Sequence, residues 1–330
     1  MPYQTLAFTR AAGIATITLR RPASFNALDL QMSRDLLDVA NICSTDRDVR
    51  CVILTGDGDK AFCAGGDIAG FVTAGDDVQR LIQDMTTNLH MAISRFTWMR
   101  APVIAAVNGV AAGAGLSIMA FCDLAIAADS ARFTSAYTRI GLTPDGSSTF
   151  FLSHLIGRRR AMELYFTNRT LSATEALDWG LVNRVVPAAD LAADVAALAR
   201  QLADGPTEAH GGIKRMLNLA ATNSLETQME HLPDAVAAGA GGDAGGCLGE
   251  IYRGSHAGIY LGLHFGRRRA IGFHPEAGRQ TIRMDLDLGG FAEVQQGFRA
   301  GQLLRGHGKQ QSGGERNVTH ADVPCWAADV

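Results

Sequence analysis

Short apolar strand segments alternate with amphipathic helical segments through the first two thirds of the chain, and this alternation restricts the fold more than any other feature. Cys51–Leu54 and Val103–Val107 are apolar runs of strand length, bounded by turn residues. Between them, apolar side chains recur at helical spacing from Val78 to Phe96. Because strands that alternate with helices build parallel sheets through helical crossovers, the sequence predicts an α/β fold.

Further segments fit the same pattern. Leu6–Arg10 and Ile14–Leu19 are typical of a hairpin, and Leu28–Cys43 has the apolar spacing of a helix. The run Ser172-Ala173-Thr174-Glu175 matches a capping box, which predicts a helix that starts directly after Ser172.

Composition excludes several classes of function. The 330 residues carry a formal net charge of −3, which excludes a broadly basic nucleic-acid-binding surface. The six cysteines include no CxxC pair, so we expect neither a zinc cluster nor a disulfide framework, in keeping with a cytoplasmic protein. The start of the chain lacks a signal-peptide pattern. Glycine and aspartate interrupt the apolar stretch 103–128, so no membrane span is expected.

The amino-acid composition changes near Pro233. Residues 233–330 hold 20 of the 37 glycines, and the whole chain has 27 arginines but only 3 lysines. This bias suggests a GC-rich gene, whose out-of-frame reading would give Gly, Arg and Ala. We therefore expect a core at 1–200, a helical segment at 201–232 and an atypical, poorly ordered tail at 233–330. A frameshift is one hypothesis for the tail, and a flexible appendage or a small folded domain are the alternatives.

Two Gly/Ala-rich turns each follow an apolar strand. Phe62–Ile68 comes after the first strand, and Asn108–Gly115 comes after the second. Small residues between a strand and a helix let a ligand approach free backbone N–H groups. Two such turns side by side would supply both donors of an oxyanion hole, although tight packing explains either turn alone. Neither turn matches a nucleotide-phosphate loop.

Four motifs, in order along the chain, resemble those of the crotonase (enoyl-CoA hydratase/isomerase) superfamily. The resemblance covers about residues 3 to 232. It implies a spiral of ββα units followed by C-terminal helices, assembly as trimers or hexamers, and acyl-CoA substrates. The motifs are Arg21-Pro22 with Asn26-Ala27-Leu28, Ala61–Ile68, Pro102–Gly109 and Ala173–Val186.

The resemblance also implies roles for residues of the two turns. The N–H groups of Gly66 and Ala114 would form the oxyanion hole. The substrate would be carried as a coenzyme A thioester, with no permanently bound cofactor and no metal ion. The residues implied to bind the CoA arm are Ala27, Ala64, Gly65, Gly66, Asp67 and Ile68.

Two expected carboxylates are replaced. Hydratases of this superfamily use two glutamates, and the resemblance places those positions on Ser117 and Tyr137. A hydroxyl titrates far too high to replace a carboxylate as an acid or base near neutral pH. Hydration by two glutamates is therefore not expected, although Tyr137 stays a candidate site residue.

A different carboxylate, Asp145, lies in the Pro/Gly turn Gly141–Gly146. Considered alone it is a common turn or cap residue. The resemblance instead implies the single catalytic aspartate of the enoyl-CoA isomerase and 4-chlorobenzoyl-CoA dehalogenase branches. We expect Asp145 to act as the one base that moves a proton from C2 to C4 of an enoyl-CoA.

Other functions stay open. In the dehalogenase branch a histidine lies twelve residues before the proline that matches Pro102, and His90 has that spacing. His90 would then activate water while Asp145 acts as nucleophile; otherwise it is a helix-surface histidine. Gly66 and Leu89 match aromatic positions of that branch without an aromatic ring, which argues against a benzoyl pocket. A hydratase with different acid–base groups and a non-catalytic CoA-binding protein are the remaining alternatives.

Overall fold

The computed structural model describes residues 3–231 together with three strands at 272–276, 279–286 and 290–295. Residues 1–252 and 253–330 form separate compact units, and each is described by itself. The strands are β1 Leu6–Ala11, β2 Ile14–Leu19, β3 Cys51–Gly56, β4 Ala61–Cys63, β5 Val103–Val107, β6 Val110–Ala112, β7 Leu124–Ala128, β8 Arg132–Thr134, β9 Leu171–Ser172, β10 Arg184–Val186, β11 Gly272–Glu276, β12 Arg279–Leu286 and β13 Gly290–Gln295. The α-helices are α1 Leu30–Thr45, α2 Ile68–Ala74, α3 Val78–Trp98, α4 Ala114–Phe121, α5 Ser148–Ile156, α6 Arg158–Thr167, α7 Ala173–Asp178, α8 Leu191–Asp204 and α9 Thr207–Ala220.

A six-stranded sheet in the order β1-β2-β3-β5-β7-β10 carries the first unit. The hairpin β1–β2 is antiparallel, and every later pairing in this sheet is parallel. Helices connect the parallel strands, as the alternation of segments predicts. The predicted α/β class is therefore confirmed.

A second sheet in the order β4-β6-β8-β9 was not predicted from the sequence. Its first three strands, β4, β6 and β8, come directly after β3, β5 and β7 of the first sheet. Each such pair therefore has one strand in each sheet, and helices follow it. These are the repeated ββα units that the resemblance implies. Each of the three short strands has only three residues, too few to show a period of two. The two Gly/Ala-rich turns consequently extend from this second sheet and not directly from β3 and β5.

The two faces of the six-stranded sheet contact different helices. On β5, Ile104 and Ala106 belong to a buried cluster with α8, whereas Ala105 and Val107 pack into the larger cluster with α1, α3 and α4. Alternate residues of a strand point to opposite faces, so a strand buried on both faces needs a continuous apolar run. The sequence of β5 meets that requirement, and its predicted bounds agree with the structure.

Helix ends follow the local sequence. The side chain of Ser172 accepts a hydrogen bond from the Glu175 amide, and the Glu175 carboxylate accepts one from the Ser172 amide, which confirms the predicted capping box. Asp67 accepts from the amide of Gly70 at 3.2 Å and so caps α2. Each cap satisfies N–H groups that lack a partner within the helix.

A buried lysine anchors the last long helix of this unit. Lys214 on α9 donates to the carbonyl of Phe96 at 2.6 Å and to Asp123 Oδ2 at 2.7 Å. Residues 225–231 are also helical, so the predicted helical segment at 201–232 is helical over much of its length. Within the described residues, no helix combines the length and the apolar character needed to cross a membrane.

The second unit contributes an antiparallel three-stranded sheet in the order β11-β12-β13. The remainder of 233–330 lies outside the described residues. The expectation of a poorly ordered tail, and the frameshift hypothesis behind it, therefore stay predictions.

Candidate active site

A cavity of about 210 Å³ opens where the two Gly/Ala-rich turns meet α3 and the turn before α5. Its polar groups are few and its aliphatic side chains many, as is usual for a small-molecule site. The cavity lies among residues that are far apart in the chain, so only the folded topology creates it. The lining residues are Leu28, Ala64, Gly65, Gly66, Ile68, Phe71, Ile82, Met85, Thr86, Gly113, Ala114, Ala136, Tyr137, Arg139, Ile140, Leu142 and Asp145.

The two turns are in contact. A Cβ atom added to Gly65 would lie 3.0 Å from the Ala112 carbonyl oxygen and 3.5 Å from the Ala114 nitrogen. Gly65 also has a φ of +102°, which side chains rarely tolerate. Glycine at 65 therefore lets the turn that carries Gly66 approach the turn that carries Ala114.

The amide of Gly66 faces away from its neighbouring segment. Leu28 donates to the carbonyl of Gly65 at 2.7 Å and accepts from the amide of Asp67 at 2.9 Å. These two hydrogen bonds engage the Gly65 carbonyl and the Asp67 amide, which flank the N–H of Gly66. Successive amides of an extended segment point in opposite directions, so the N–H of Gly66 points away from Leu28, on the side of the cavity.

Ala114 is the first residue of α4, and its N–H has no acceptor within the helix. The helix starts close to the first turn because Gly115 has no side chain: a Cβ there would lie 1.9 Å from the carbonyl oxygen of Cys63. Gly66 and Ala114 both line the cavity, and their role as the two donors of an oxyanion hole stays a prediction.

Hydroxyl groups surround the carboxylate of Asp145. The phenol of Tyr137 donates to Oδ1 at 2.5 Å, and the hydroxyl of Thr86 donates to Oδ2 at 3.3 Å. All three side chains line the cavity. Asp145 thus presents an oriented carboxylate to the space in front of the two amides.

The two positions at which the resemblance places glutamates contact each other. Ser117 Oγ lies 2.9 Å from the phenol oxygen of Tyr137. Because the phenol proton is directed to Asp145, the phenol oxygen can accept from Ser117, whose hydroxyl also lies 3.1 Å from the Asp145 carbonyl oxygen. Burial, and next the charge of Asp145, raise the pKa of Tyr137 far above its usual value. Tyr137 is therefore a neutral donor, and Ser117 and Tyr137 act as a hydroxyl pair that orients Asp145.

The turn after Asp145 is held from two sides. Gly146 has a φ of +59°, and a Cβ there would lie 2.7 Å from Cβ of Ser117. On the other side, the amide of Gly146 donates to Nε2 of His90 at 3.0 Å. His90 contacts the turn through this nitrogen, while its ring is exposed.

The residues expected to bind the CoA arm fall into two groups. Ala64, Gly65, Gly66 and Ile68 line the cavity. The other two contact Arg21, which donates to the carbonyl of Ala27 at 2.6 Å and to Asp67 Oδ2 at 2.7 Å. Burial is the largest effect and would raise the pKa of Asp67, but the hydrogen bonds from Arg21 and from the backbone amides of Gly70 and Ala69, with the charge of Arg21, together lower that pKa. Binding of CoA by Ala27 and Asp67 stays a prediction.

Several site residues were missed by sequence reasoning. Thr86 lies within the apolar stripe of α3, and Phe71 lies on the short helix α2. The ring of Phe71 packs over Gly66, where an added Cβ would approach its Cζ to 2.8 Å. An aromatic ring is thus present in the cavity from a position that local motifs did not indicate. The only signal in the sequence for Thr86 and Phe71 is that each lies near a residue already named as a candidate.

Cys63 lies behind the first turn and is fully buried. Burial raises the pKa of its thiol to about 11, so the thiol is neutral near pH 7. Within the described ranges, no group of histidine, cysteine and acidic side chains has the arrangement of a metal site. Among the residues that line the cavity, the titratable side chains are those of Tyr137, Arg139 and Asp145.

Comparison with known proteins assigns this geometry to a family. The family model for enoyl-CoA hydratase/isomerase matches residues 9–235. A 4-chlorobenzoyl coenzyme A dehalogenase from Arthrobacter is 37% identical over 230 residues, which cover 69% of this chain and 83% of the relative. The 1,2-epoxyphenylacetyl-CoA isomerase of Escherichia coli is 38% identical over 219 residues, which cover 66% and 83%.

Solved structures agree with the sequence relatives. The crystal structure of a putative enoyl-CoA hydratase/isomerase from Mycobacterium abscessus has a TM-score of 0.71 and 32% identity, and the match covers 76% of this chain and 97% of that one. An enoyl-CoA hydratase from Polaromonas sp. gives a TM-score of 0.71 at 30% identity, with the same coverage. The ββα spiral implied by the four motifs is confirmed.

Proposed function

Since the chain belongs to the enoyl-CoA hydratase/isomerase family of acyl-CoA enzymes, we propose that it shifts the double bond of an enoyl-CoA with Asp145 as the only base. The observation that carries the proposal is the position of Asp145. It is an oriented carboxylate that lines the same cavity as the two turn amides. The family's usual glutamate positions hold only hydroxyl groups.

The thioester carbonyl is placed by the turn amides. Its oxygen accepts hydrogen bonds from the N–H groups of Gly66 and Ala114, which stabilise negative charge as the enolate forms. Loss of one such donor typically costs about 10²- to 10³-fold in rate. The CoA arm leaves the site along Ala64, Gly65 and Ile68. The substrate arrives as a CoA thioester, and no permanently bound cofactor is needed.

Proton transfer uses one oxygen of Asp145. Tyr137 occupies Oδ1 with its short hydrogen bond, whereas Thr86 contacts Oδ2 at the longer distance of 3.3 Å. Oδ2 therefore removes the proton from C2 of a 3-enoyl thioester, and the electron pair delocalises to the carbonyl oxygen. The same proton is returned from Oδ2 to C4, so the double bond moves from C3–C4 to C2–C3. Atoms and charge balance without water.

Hydration fits this site less well. It would require one group to activate water and another to deliver a proton at the neighbouring carbon. Tyr137, with its raised pKa, and Ser117 are both neutral hydroxyls that are already bonded to each other. Isomerisation needs only the single carboxylate that is present.

Dehalogenation is the second candidate, favoured by the Arthrobacter relatives and by the position of His90 beside the Asp145 turn. In that reaction Asp145 would attack the ring carbon that bears chlorine, release chloride and leave an aryl ester for water to hydrolyse. The lining is mainly aliphatic, with Ile68, Ile82 and Leu142, and Phe71 supplies an aromatic ring. This lining suits an aliphatic acyl group better than a benzoyl group.

Assembly and location remain proposals. We expect a homotrimer or hexamer in the cytoplasm, with no nucleic-acid or membrane partner. Exposed apolar side chains on α9, Ile213 and Leu217, support burial between copies of the chain because such residues are usually covered. Light scattering of the full chain measures the oligomer, and a monomer would contradict this part of the proposal.

The experiment compares the wild-type chain with Asp145→Asn on a panel of 3-enoyl, 2-enoyl and 4-chlorobenzoyl thioesters of CoA. We expect double-bond migration by the wild type and none by D145N. Asp178→Asn is the matched control, because Asp178 is an exposed carboxylate at the end of α7. Isomerisation by D145N at the wild-type rate would overturn the mechanism. Chloride release, or hydration alone, would select one of the alternatives.

A further inference from the structure

Helix α3 contacts the side chain of the proposed base and the peptide group that follows it. Thr86 donates to Oδ2 of Asp145, and His90, one helical turn later, accepts from the amide of Gly146. Residues four apart lie on the same face of a helix. One face of α3 therefore holds the carboxylate and the backbone of the Asp145 turn at two adjacent points.

The bond to Gly146 fixes the chemical state of the His90 ring. A backbone N–H can only donate, so Nε2 must be the acceptor and carries no proton. While this bond is made, Nδ1 is the ring nitrogen that carries a proton. The nitrogen nearest to the Asp145 turn is committed to the backbone and is not free to take a proton from water.

The opposite side of the turn has no space to move into. Gly146 lies so close to Ser117 that an added Cβ would be 2.7 Å from the serine Cβ and 3.5 Å from Cδ2 of Leu89. Ser148 closes the turn through its amide and its hydroxyl, which donate to the Asp145 carbonyl at 3.1 and 2.9 Å. The bond from the Gly146 amide to His90 holds the side of the turn that faces α3, opposite the Ser117 hydroxyl, which donates to the Asp145 carbonyl at 3.1 Å.

We propose that His90 is a positioning residue, which holds the Asp145 turn through the Gly146 amide and transfers no proton itself. The inference rests on the proposed function, in which Asp145 is the only base. In this role the imidazole only accepts a hydrogen bond from the Gly146 amide, and another acceptor of similar length can replace it. A proton-transfer role, in contrast, needs a group that titrates near neutral pH.

Two variants at residue 90 separate these roles. His90→Gln retains a carbonyl oxygen that reaches to about the place of Nε2, but it cannot titrate. His90→Phe keeps a planar ring and removes the acceptor. With the preferred thioester we expect H90F to lower kcat about 10- to 100-fold with little change in KM, as misplacement of a catalytic group by about 1 Å does. H90Q should restore most of kcat.

Hydrogen exchange supplies a readout that does not depend on activity. Mass spectrometry of a peptide that spans 142–149 should show faster exchange in H90F, because the Gly146 amide has lost its acceptor. H90Q should retain the protection of the wild type.

The outcomes are distinguishable from failure of the proposed function. If D145N is inactive but H90Q is as slow as H90F, the positioning role is overturned in favour of proton transfer. Wild-type kcat, or wild-type protection of the 142–149 peptide, in H90F would also overturn it. If D145N still isomerises, the proposed function fails, while the exchange measurement still decides whether His90 holds the turn.

Discussion

The phenol oxygen of Tyr137 lies 2.5 Å from Oδ1 of Asp145 and donates its proton to that carboxylate. Ser117 Oγ lies 2.9 Å from the same phenol oxygen and 3.1 Å from the Asp145 carbonyl oxygen, so Ser117, Tyr137 and Asp145 form one hydrogen-bonded chain of side chains. The chain fixes the rotation of the carboxylate and leaves Oδ2 toward the cavity. At one of the two positions where the resemblance implies a glutamate, Tyr137 donates to a different acid, Asp145.

Removal of this donor should slow catalysis with little effect on binding. We expect Tyr137→Phe to lower kcat about 10- to 100-fold, because the carboxylate is free to rotate away from its productive orientation. KM should change little, since the phenol is not expected to contact the CoA arm. Tyr3→Phe is the matched control, because Tyr3 donates to Asp38 in an exposed position. Equal kcat for Y137F and the wild type would contradict the orienting role.

The approach of α4 to the first turn gives a second prediction. A methyl group at residue 115 would lie 1.9 Å from the carbonyl oxygen of Cys63, so the start of α4 must shift. We expect Gly115→Ala to lower kcat on the order of 10²-fold through displacement of the Ala114 amide. Steady-state kinetics together with thermal unfolding measure the effect.

Gly70→Ala is the control for that variant. Its added Cβ would meet no atom closer than 3.6 Å, and it lies within α2, where alanine is favoured over glycine. G70A should keep the activity of the wild type. If G115A were as active as G70A, the two turns would not need their close contact.

The parts of the fold that the sequence predicted are those with long periodic segments. The predicted bounds of β5 agree with the structure, and α3, predicted from Val78 to Phe96, ends at Trp98. The second sheet escaped prediction because strands such as β4 and β6 have three residues each, and their pairing joins segments far apart in the chain.

The site shows the same division. The turn that carries Gly66 and the acid Asp145 were visible as local motifs. The contact between Ser117 and Tyr137 joins residues twenty positions apart, and Thr86 approaches Asp145 from a different helix. Such contacts depend on how α3, α4 and the turn before α5 pack, which no local pattern specifies.

An ion pair between a buried lysine and a partly exposed aspartate should contribute to stability. Lys214 is only 8% exposed, and it bonds to Asp123 as well as to the Phe96 carbonyl. Burial raises the pKa of Asp123, although the charge of Lys214 opposes the shift. Lys214→Met removes the cation beside the Asp123 side chain, which is itself 25% exposed, so we expect the free energy of unfolding to fall by about 1–3 kcal/mol. Urea titration measures the loss.

The control for this pair is an exposed one. Arg200 and Asp204 are four residues apart on α8 with a separation of 3.3 Å. Exposed pairs of this kind contribute about 0.3–0.5 kcal/mol, so Arg200→Met should have a small effect. Similar losses for K214M and R200M would show that the Lys214 contacts do not hold α9 in place.

The half-buried ring of His210 gives a prediction about pH. Burial, and next the charge of Arg50, lower the pKa of His210 below 6.5 in the folded chain, and its Nδ1 is buried without a hydrogen-bond partner. The unfolded chain therefore binds a proton at a higher pH than the folded chain does. The stability due to the neutral ring is complete above pH 6.5 and is lost as the pH falls through the lowered pKa.

His210→Gln removes this titration. We therefore expect the free energy of unfolding of the wild type to fall more between pH 7.5 and pH 5.5 than that of H210Q, as measured by urea titration at both values. The difference arises because only the wild type must protonate a poorly solvated ring or unfold to do so. Parallel losses in the two chains would mean that His210 takes up its proton as readily in the folded chain as in the unfolded one.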